Sequence, residues 1–334
     1  MDRSGGDLVN ATATPAVSVV MPLYNKADLV LEAIASVQAQ EMTDWELVVV
    51  DDGSVDAGPE QVLAAAMQDA RIRVVTQANQ GVSVARNAGL HHAAADVVAF
   101  LDADDVWQPG FLAAVMALRE RYPTARWWAT GYALQREGAV GRVARVEAAR
   151  STEDQSLWSN YFTIAARSDP PVFSSAVAID RSAILALGGF PQGIASGEDL
   201  LTWARLALAY PLAYDRRALA VFRVSGIERR PDPDDAVGRA LATLQHEHPD
   251  TPGLAAYRAA WHRMRAAMWL RFDQTGQARS EAGKALRLSP WNPRSGYLWF
   301  LCRLPAALRR NLDTWIRGAR ARIMRSPPST TASE

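Results

Sequence analysis

Residues 97–105 read Val97-Val98-Ala99-Phe100-Leu101-Asp102-Ala103-Asp104-Asp105, and they decide the fold. The apolar part, rich in β-branched and aromatic residues, is typical of a buried strand. The three carboxylates that follow within four positions would repel one another if they were left unpaired. Mg²⁺ or Mn²⁺ is their natural partner, because such ions bind one or two carboxylates together with phosphate oxygens. The alternative is an acidic turn that caps the next helix, and the surrounding sequence has to decide between the two.

Length and composition bound the possible functions. The 334 residues can hold one large α/β domain and a smaller appendage, and 49% apolar with 22% charged residues is ordinary for a globular protein. The formal net charge of zero gives the chain no electrostatic reason to bind nucleic acid. The single cysteine, Cys302, excludes an intramolecular disulfide and suits a reducing compartment, so a cytoplasmic location is expected. Residues 1–16 lack the apolar core of a signal peptide, and no apolar stretch is long enough to predict a membrane span.

Strands and helices alternate through the first 105 residues. Apolar runs predict strands at 17–21, 46–50, 72–75 and 97–101, and the segments between them predict helices near 27–39, 59–68 and 82–94. This alternation is typical of parallel β-α-β units, whose ligands bind beyond the carboxyl ends of the strands. One edge of the sheet is therefore expected to collect Tyr24, Asp51, Asp52, Asp102, Asp104 and Asp105. Carboxylates gathered there favour a cation and nucleotide site over a random acidic surface.

Four motifs carry a resemblance to a known family. They are Pro22-Leu23-Tyr24-Asn25, Asp51-Asp52-Gly53-Ser54-Val55-Asp56, Gly81 with Ala85-Arg86-Asn87-Ala88-Gly89, and Leu101-Asp102-Ala103-Asp104-Asp105. Their order and spacing, over residues 16–225, resemble those of the family 2 glycosyltransferases. The resemblance implies the GT-A fold, an α/β, Rossmann-like domain with a mixed, mainly parallel sheet sandwiched by helices. A helical C-terminal appendage is expected to follow it.

The resemblance also implies roles at a nucleotide-sugar site. Pro22 would shape the first loop, Tyr24 would stack on a uracil-like ring, and Asp52 would accept hydrogen bonds from the N–H edge of the base. Arg86 would meet the base or a phosphate. Two structural alternatives stay open, with Tyr24 as a half-buried core aromatic and Arg86 in a surface salt bridge. Asp56 resembles a helix cap more than a ligand contact.

By the same resemblance, the acidic cluster takes the role of the family's DxD motif. Asp102 would contact the ribose or a metal-bound water, Asp104 would bind Mn²⁺ or Mg²⁺ directly, and Asp105 would support the metal site. The cation would neutralise the charge that builds on the departing diphosphate.

Two other families share part of this pattern. Haloacid-dehalogenase-like phosphatases have four apolar residues followed by DxDx[TV], but there the motif ends the first strand, whereas here three strand–helix units precede it. Sugar nucleotidylyltransferases have a glycine-rich loop after their first strand, and Pro22-Leu23-Tyr24-Asn25 contains no glycine. Both differences favour the glycosyltransferase resemblance.

Further elements follow the acidic cluster. Helices are expected near 109–122 and 181–187, and strands at 125–130 and 172–179, while residues 136–160 show no clear period. Phe222-Arg223-Val224-Ser225 resembles the family's closing YRxH strand. Ser225 stands where the family has histidine, which puts a third protein ligand for the metal in doubt.

Glu198 and Asp199 open another predicted helix at 197–206, after Gly188-Gly189-Phe190. They resemble the family's ED motif, in which a carboxylate of inverting members takes the proton of the acceptor hydroxyl. Asp199 is the expected base, with Glu198 as the second choice. The alternative is that both acids only complement the positive end of a helix.

The predicted domain boundaries follow from these patterns. We expect a disordered N-terminus at 1–15, a GT-A domain at 16–228 with a donor part 16–125 and an acceptor part 126–228, a helical region at 236–325 and a disordered tail at 326–334. Helices of the C-terminal region are expected near 236–247, 253–274, 277–288 and 297–325. The last one is basic and carries aromatic residues, which suits peripheral contact with an anionic membrane at its inner face. A helix packed on the domain, with a solvated arginine face, is the alternative.

The sequence therefore predicts a metal-dependent, inverting glycosyltransferase. Its donor would be a nucleotide-sugar, with UDP preferred, and its acceptor a hydroxyl of a carbohydrate or lipid-linked molecule. The alternative from another class is a nucleotide-sugar-binding or scaffold protein that keeps the fold without turnover. No nucleic-acid partner is expected.

Overall fold

The computed structural model describes residues 14–136, 141–146, 154–224, 230–305 and 308–309. These residues form two compact units. The first holds the described residues up to 224 together with 234–254, and the second holds 230–233 and the described residues from 255 onward. Ser225, nearly all of the predicted disordered N-terminus, and residues 310–334 lie outside the described residues.

The first unit contains a ten-stranded sheet with helices around it. The strands are β1 (Val17–Leu23), β2 (Trp45–Asp51), β3 (Ile72–Thr76), β4 (Val97–Phe100), β5 (Val106–Trp107), β6 (Trp127–Arg136), β7 (Arg142–Val143), β8 (Gln155–Trp158), β9 (Val177–Asp180) and β10 (Leu212–Val224). The helices are α1 (Val30–Gln38), α2 (Gly58–Gln68), α3 (Val82–His92), α4 (Phe111–Arg121), α5 (Tyr161–Ala165), α6 (Arg181–Ala186), α7 (Glu198–Ala209) and α8 (Ala236–Glu247).

The strand order in the sheet is β3-β2-β1-β4-β9-β6-β10-β5. The first four strands run parallel to one another, as do β6 and β10. Strand β9 runs antiparallel between β4 and β6, so it joins the two parallel parts. The predicted fold class is confirmed, a mixed and mostly parallel sheet flanked by helices. The order of the strands reverses at β1 and β4, which is where ligands bind in open sheets of this kind.

One glycine lets helix α3 pack closely on the centre of the sheet. A Cβ on Gly89 would lie 2.2 Å from Cγ1 of Val20, in the middle of β1. Both β1 and β4 are almost entirely buried, as strands covered by helices on both faces must be. Gly89 of the third sequence motif therefore has a packing role, since a larger residue would push α3 away from the sheet.

Two predicted strands differ from the observed ones. Residues 174–176 form a turn of 3₁₀-helix, and the strand predicted at 172–179 begins only at Val177. The closing strand, which the sequence motif places at 222–225, begins much earlier: β10 starts at Leu212. It contains a bulge after Asp215. There the Asp215 carboxylate accepts from the backbone N–H of Arg217, which a regular strand would direct to its neighbour.

The described part of the second unit is helical. It contains α9 (Leu254–Arg271, from residue 255 onward), α10 (Thr275–Leu288) and α11 (Pro293–Leu301). Its core gathers Ala266, Trp269, Ala278, Ala282 and Cys302. None of the helices in the described ranges is long and apolar enough to cross a membrane.

The prediction of one continuous helix from 297 to 325 is wrong in its described part. Helix α11 begins earlier, at Pro293, and ends at Leu301. Pro305 follows four residues later, and proline disfavours a helical conformation in the residue before it. Most of the predicted basic helix lies outside the described residues.

Candidate active site

The ends of three parallel strands form the floor of the site. Leu23 at the end of β1 pairs with Asp51 at the end of β2, and Val20 of β1 pairs with Phe100 at the end of β4. The loops that contain Tyr24, Asp52 and Asp102 therefore leave the sheet at one edge. This confirms the predicted gathering of these segments at the carboxyl ends of the strands.

The loop after β1 is bound to the loop after β2. The Asp56 carboxylate accepts from the backbone N–H of Ala27 at 2.8 Å and of Gly58 at 3.0 Å. Asn25, which has a positive φ of 52°, accepts from the backbone N–H of Val55. Asp56 thus contacts the first residue of α2, close to the cap role expected for it, and it also fixes the first loop.

Tyr24 and Asp52 differ in their environment. Tyr24 is 49% exposed, so part of its side chain faces solvent, and its predicted stacking on a base stays a prediction. Asp52 is buried, and its carboxylate accepts from Gln77 Nε2 and from the backbone N–H groups of Gln80 and Gly81, at 2.7 to 2.9 Å. These bonds fix the loop that leads into α3. An ionised carboxylate has about four acceptor positions, so one remains for a base.

Pro22 lies in β1 itself, beside Val50 of β2. Proline fixes its own φ and donates no backbone hydrogen bond. Pro22 is the penultimate residue of β1 and restricts the backbone just before the loop that contains Tyr24. Its predicted role in shaping that loop stays a prediction.

The carboxylates of Asp102 and Asp104 each have a cationic partner. Asp104 forms an ion pair with Lys26 of the first loop, and Asp102 Oδ1 lies 2.7 Å from a terminal guanidinium nitrogen of Arg86. Both acidic side chains are 23% exposed. The predicted self-repulsion within the acidic cluster is thus relieved by two neighbouring cations, at the exposed edge of the sheet.

Asp105 is buried and faces a different group of atoms. Its Oδ2 accepts from the Ser175 hydroxyl at 2.6 Å, and its Oδ1 accepts from the backbone N–H of Arg223 in β10 at 2.9 Å. The Ser175 hydroxyl also accepts from the backbone N–H of Asp102, and its carbonyl accepts from the Trp107 indole. Burial, and then the charge of Asp102, raise the pKa of the Asp105 carboxyl well above its usual value. These contacts fix the acidic loop, and the expected role of Asp105 in supporting the metal site stays a prediction.

Arg86 joins the two halves of the site. Its side chain is 3% exposed, and its guanidinium donates to Asp102 at 2.7 Å and to Glu198 at 3.1 Å. It also lies 5.3 Å from the centre of the Phe190 ring. Burial tends to lower the pKa of Arg86, but the charges of Asp102 and Glu198 raise it above its ordinary value. The alternative of a surface salt bridge is therefore wrong. The Nε–H of Arg86 has no hydrogen-bond partner among the described residues, and the predicted contact of Arg86 with a base or phosphate stays a prediction.

The residue after Arg86 holds the segment that precedes α7. The Asn87 side chain donates to the Phe190 carbonyl and accepts from the Phe190 N–H, both at 2.8 Å. Gly189 has a φ of +70°, and a Cβ there would lie 2.5 Å from the Asn87 side-chain oxygen. This explains the glycine of the Gly188-Gly189-Phe190 segment by a close approach rather than by a helix end alone.

Glu198 and Asp199 form the first turn of α7. Glu198 is buried, and its carboxylate accepts a hydrogen bond from Arg86. Asp199 is partly buried. Among the described residues, its carboxylate accepts a hydrogen bond only from the backbone N–H of Leu200. Burial, and then the charge of Glu198, raise the pKa of Asp199 to about 7, while the charge of Arg86 opposes this shift. A carboxyl with such a pKa can take up a proton at neutral pH.

A divalent cation fits this edge best together with a phosphate group. Asp102 and Asp104 each use one oxygen in an ion pair, and within the described ranges their second oxygens accept no hydrogen bond. In the same ranges, the carboxylates at 102, 104 and 105 do not form a compact three-ligand cluster. Mg²⁺ is commonly held by one or two carboxylates plus substrate phosphates, and this donor set suits that mode.

Sequence reasoning did not identify Asn87 and Ser175 as site residues. Asn87 belongs to the third sequence motif, but only the structure shows that it contacts Phe190. Ser175 lay in a stretch read as strand, where a serine gave no distinct signal. Lys26 is a further residue of the site, because it forms an ion pair with Asp104.

Part of the chain is similar in sequence to known proteins. Residues 18–161 match the family model described as Glycosyl transferase family 2. The succinoglycan biosynthesis protein ExoO of Rhizobium meliloti is 45% identical over 96 residues, which are 28% of this chain and 27% of that protein. The chain spans about a quarter to a third of the length of several curated relatives that it matches.

Solved structures show the same fold. S. aureus TarS 1-349 in complex with UDP-GlcNAc has a TM-score of 0.61 at 17% identity, covering 84% of this chain and 83% of that one. The mannosyltransferase PcManGT from Pyrobaculum calidifontis, in complex with GDP-Man and Mn²⁺, has a TM-score of 0.56 at 22% identity, covering 91% of this chain and 84% of that one.

Proposed function

We propose that this chain, which belongs to glycosyltransferase family 2 through residues 18–161, transfers a sugar from a nucleotide-sugar donor to an acceptor hydroxyl. The observation that carries the proposal is the position of Asp199. Its carboxyl has a pKa near neutrality and lies beside Glu198, whose partner Arg86 also binds Asp102 of the acidic cluster. A proton acceptor and an acidic donor site are thus linked by one buried side chain.

UDP is the proposed nucleotide. The exposed ring of Tyr24 offers a flat apolar face for a pyrimidine, and the buried Asp52 carboxylate has acceptor capacity for the N–H edge of the base. Pro22 supports the loop between them. Among structural neighbours, TarS is in complex with UDP-GlcNAc and PcManGT with GDP-Man, so the choice of UDP rests on these residues and not on the neighbours.

The proposed cofactor is Mn²⁺ or Mg²⁺, held by Asp104 and Asp102 together with the diphosphate. When bound, such an ion stabilises the negative charge of the leaving diphosphate. Lys26 now occupies one oxygen of Asp104, and the diphosphate offers it another anionic partner. We therefore expect Lys26 to move from Asp104 to the diphosphate when the donor binds.

Asp199 is the proposed general base. It would take the proton of the acceptor hydroxyl as the hydroxyl oxygen attacks the anomeric carbon from the face opposite the diphosphate, which gives inversion. Burial, and then the negative charge of Glu198, raise the pKa of Asp199, and Arg86 holds Glu198 in place. The acceptor is proposed to be a carbohydrate or lipid-linked hydroxyl in polysaccharide biosynthesis, the process for which the relative ExoO is named.

The direct experiment is a panel of UDP- and GDP-sugars with Mn²⁺, read by release of the nucleoside diphosphate. We expect Mn²⁺-dependent release with a UDP-sugar. Asp104→Asn should remove metal-dependent donor binding, whereas Asp199→Asn should retain binding and lose turnover. Donor binding by the unaltered chain without turnover, across donors and acceptors, would support the scaffold alternative instead. A melting temperature unchanged by every nucleotide-sugar would reject both proposals.

A further inference from the structure

The second unit is strongly basic although the whole chain is neutral. Residues 229–233 and 255–334 contain seventeen Lys and Arg but only five Asp and Glu, while the formal net charge of the chain is zero. The residues outside this unit are acidic by the same amount. No acidic residue occurs between 282 and 312, a stretch with six basic residues. Such an asymmetry of charge is typical of proteins that bind an anionic surface.

The α10–α11 corner and the exposed side of α11 carry large aromatic residues. Trp291, in the turn between the helices, is 95% exposed, Phe300 is 52% exposed and Tyr297 is 40% exposed. Arg294 lies between Trp291 and Tyr297 in sequence, and positions 294, 297 and 300 are three residues apart and so share one side of the helix. We name Trp291, Arg294, Tyr297 and Phe300 the aromatic–arginine face.

This exposure is unusual for the chain. Trp127, Trp128, Trp203 and Trp269 are among its largest fully buried side chains. Isolated exposed apolar residues are common, whereas three exposed aromatic residues within ten positions favour an interaction site. Exposed arginines stand around this group, at 287, 294 and 303.

The composition favours a lipid surface among anionic occupants. Tryptophan and tyrosine are enriched at the interface of a bilayer, and arginine pairs with the phosphates of its headgroups. Trp291, which is 95% exposed, is accessible enough to insert into the headgroup region of a bilayer. Stacking on nucleic-acid bases instead uses rings that lie along a charged groove.

We infer that the aromatic–arginine face binds the surface of an anionic lipid bilayer, with Trp291, Tyr297 and Phe300 entering the headgroup region and the neighbouring arginines meeting lipid phosphates. The contact is peripheral. It is independent of the proposed transferase activity, because none of these residues belongs to the first unit, which contains the proposed donor site.

The test is co-sedimentation of the full chain with vesicles. One set contains phosphatidylcholine alone, and the other contains phosphatidylcholine with 30 mol% phosphatidylglycerol, a composition chosen for about one negative charge per three lipids. We expect binding to the anionic vesicles that weakens as salt is raised, and at least about tenfold weaker partition to the neutral ones.

The decisive variant is Trp291→Ser/Tyr297→Ser/Phe300→Ser. All three side chains are exposed, so folding should be retained, and circular dichroism checks this. We expect the partition coefficient on anionic vesicles to fall by at least about tenfold. The matched control, Val55→Ser/Leu63→Ser/Met67→Ser, removes three exposed apolar side chains from the first unit and should leave partition unchanged.

A second variant tests the charges. Arg287→Gln/Arg294→Gln/Arg303→Gln should weaken binding to anionic vesicles and reduce its dependence on salt. Equal partition of the aromatic variant and its control, or equal binding to neutral and anionic vesicles, would overturn the inference. Tighter binding of single-stranded poly(U) than of anionic vesicles, lost in the same aromatic variant, would overturn it in favour of a nucleic acid.

Discussion

Arg86 of α3 and Glu198 of α7 form a buried ion pair of 3.1 Å between residues that are 112 positions apart in sequence. Through its other terminal nitrogen, Arg86 also holds Asp102 at 2.7 Å. One arginine therefore fixes the acidic cluster at the end of β4 relative to the first turn of α7. We expect this link to matter for both stability and chemistry.

Arg86→Met should destabilise the protein by about 3 to 5 kcal/mol, because it leaves two largely buried carboxylates without their common partner. Urea unfolding measures the change. Arg126→Met is the matched control, since Arg126 forms an exposed ion pair with Asp180 at 2.9 Å and such pairs contribute at most about 1 kcal/mol. Equal losses for the two variants would contradict the prediction.

A double-mutant cycle separates the pair from its surroundings. Glu198→Gln in the Arg86→Met background should cost less than Glu198→Gln alone, with a coupling of at least about 1 kcal/mol. Additive effects would mean that Arg86 acts through packing on Phe190 and not through the ion pair.

The pKa of Asp199 predicts the pH dependence of transfer. Below about pH 7 the carboxyl holds a proton and cannot accept another, so kcat should rise with pH up to about 7 and then level off. Asp199→Asn should lower kcat by about 10²- to 10⁴-fold and remove this rise. Glu198→Gln removes a charge that raises the pKa of Asp199, so the rise should move to lower pH. A profile of kcat that is the same in Asp199→Asn and the unaltered chain would refute Asp199 as the base.

The same pKa predicts a stability effect of opposite sign. The ordinary pKa of this carboxyl is 3.8 and its folded value is about 7, so between these values the folded state keeps a proton that the unfolded state has lost. Stability should therefore fall as pH rises from about 4 to 7. Asp199→Asn should remove this fall, and it should be more stable than the unaltered chain at pH 8 but not at pH 4, as thermal unfolding at the two pH values would show.

Much of this site followed from the sequence, for a physical reason. The strands at 17, 46, 72 and 97 are short apolar runs between helices, and parallel β-α-β units place their carboxyl ends on one edge regardless of other detail. That is why the segments with Tyr24, Asp52 and Asp102 were predicted to meet. Local hydrophobic patterns are sufficient to predict which strand ends meet when the chain repeats the same β-α-β unit.

The contacts of Arg86, Asn87 and Ser175 could not be obtained in this way. Each joins segments that are about 70 to 110 positions apart, and hydrophobic periodicity contains no information about which distant polar groups meet. The turn of 3₁₀-helix that carries Ser175 also interrupts an apolar run that otherwise reads as a strand. Hydrogen bonds and ion pairs between distant segments were thus the part of the site that the sequence could not predict.

Lys26 predicts a contrast between metal and donor binding. Lys26→Met frees an Asp104 oxygen, so Mn²⁺ alone should bind more tightly, by a few-fold. Binding of the metal–donor complex should weaken by about tenfold, because the diphosphate loses a cationic partner. Calorimetric titration with Mn²⁺, with and without UDP, measures both. Lys284→Met, on α10, is the control and should change neither. A parallel change of both affinities would argue against movement of Lys26.

Ser175 should be required for the acidic loop although it contacts no ligand in the proposed mechanism. Ser175→Ala removes a donor from the buried Asp105 carboxylate and an acceptor from the Asp102 N–H, so a loss of about 2 to 3 kcal/mol in unfolding free energy is expected. The control is Ser182→Ala, whose hydroxyl donates to Asp180 at an exposed position and should cost less than about 1 kcal/mol. Mn²⁺-dependent binding of UDP should weaken only in the first variant. Unchanged binding there would show that Asp105 and Ser175 stabilise the fold without shaping the site.

The close approach of α3 to the sheet gives the last prediction. Gly89→Ala would place a methyl group 2.2 Å from Val20 Cγ1, so α3 must shift, at a cost of about 1 to 3 kcal/mol. Gly276→Ala is the control, because nothing lies within 4 Å of its added Cβ and alanine favours the helix, so stability should stay equal or rise by up to about 1 kcal/mol. Val20→Ala should rescue Gly89→Ala in part, although Val20→Ala alone creates a small cavity and destabilises. The shift of α3 also moves Arg86 and Asn87, so donor affinity should fall with Gly89→Ala and recover in the double variant. A double variant whose losses in stability and affinity are simply the sum of the two single ones would mean that the glycine is required for something other than its contact with Val20.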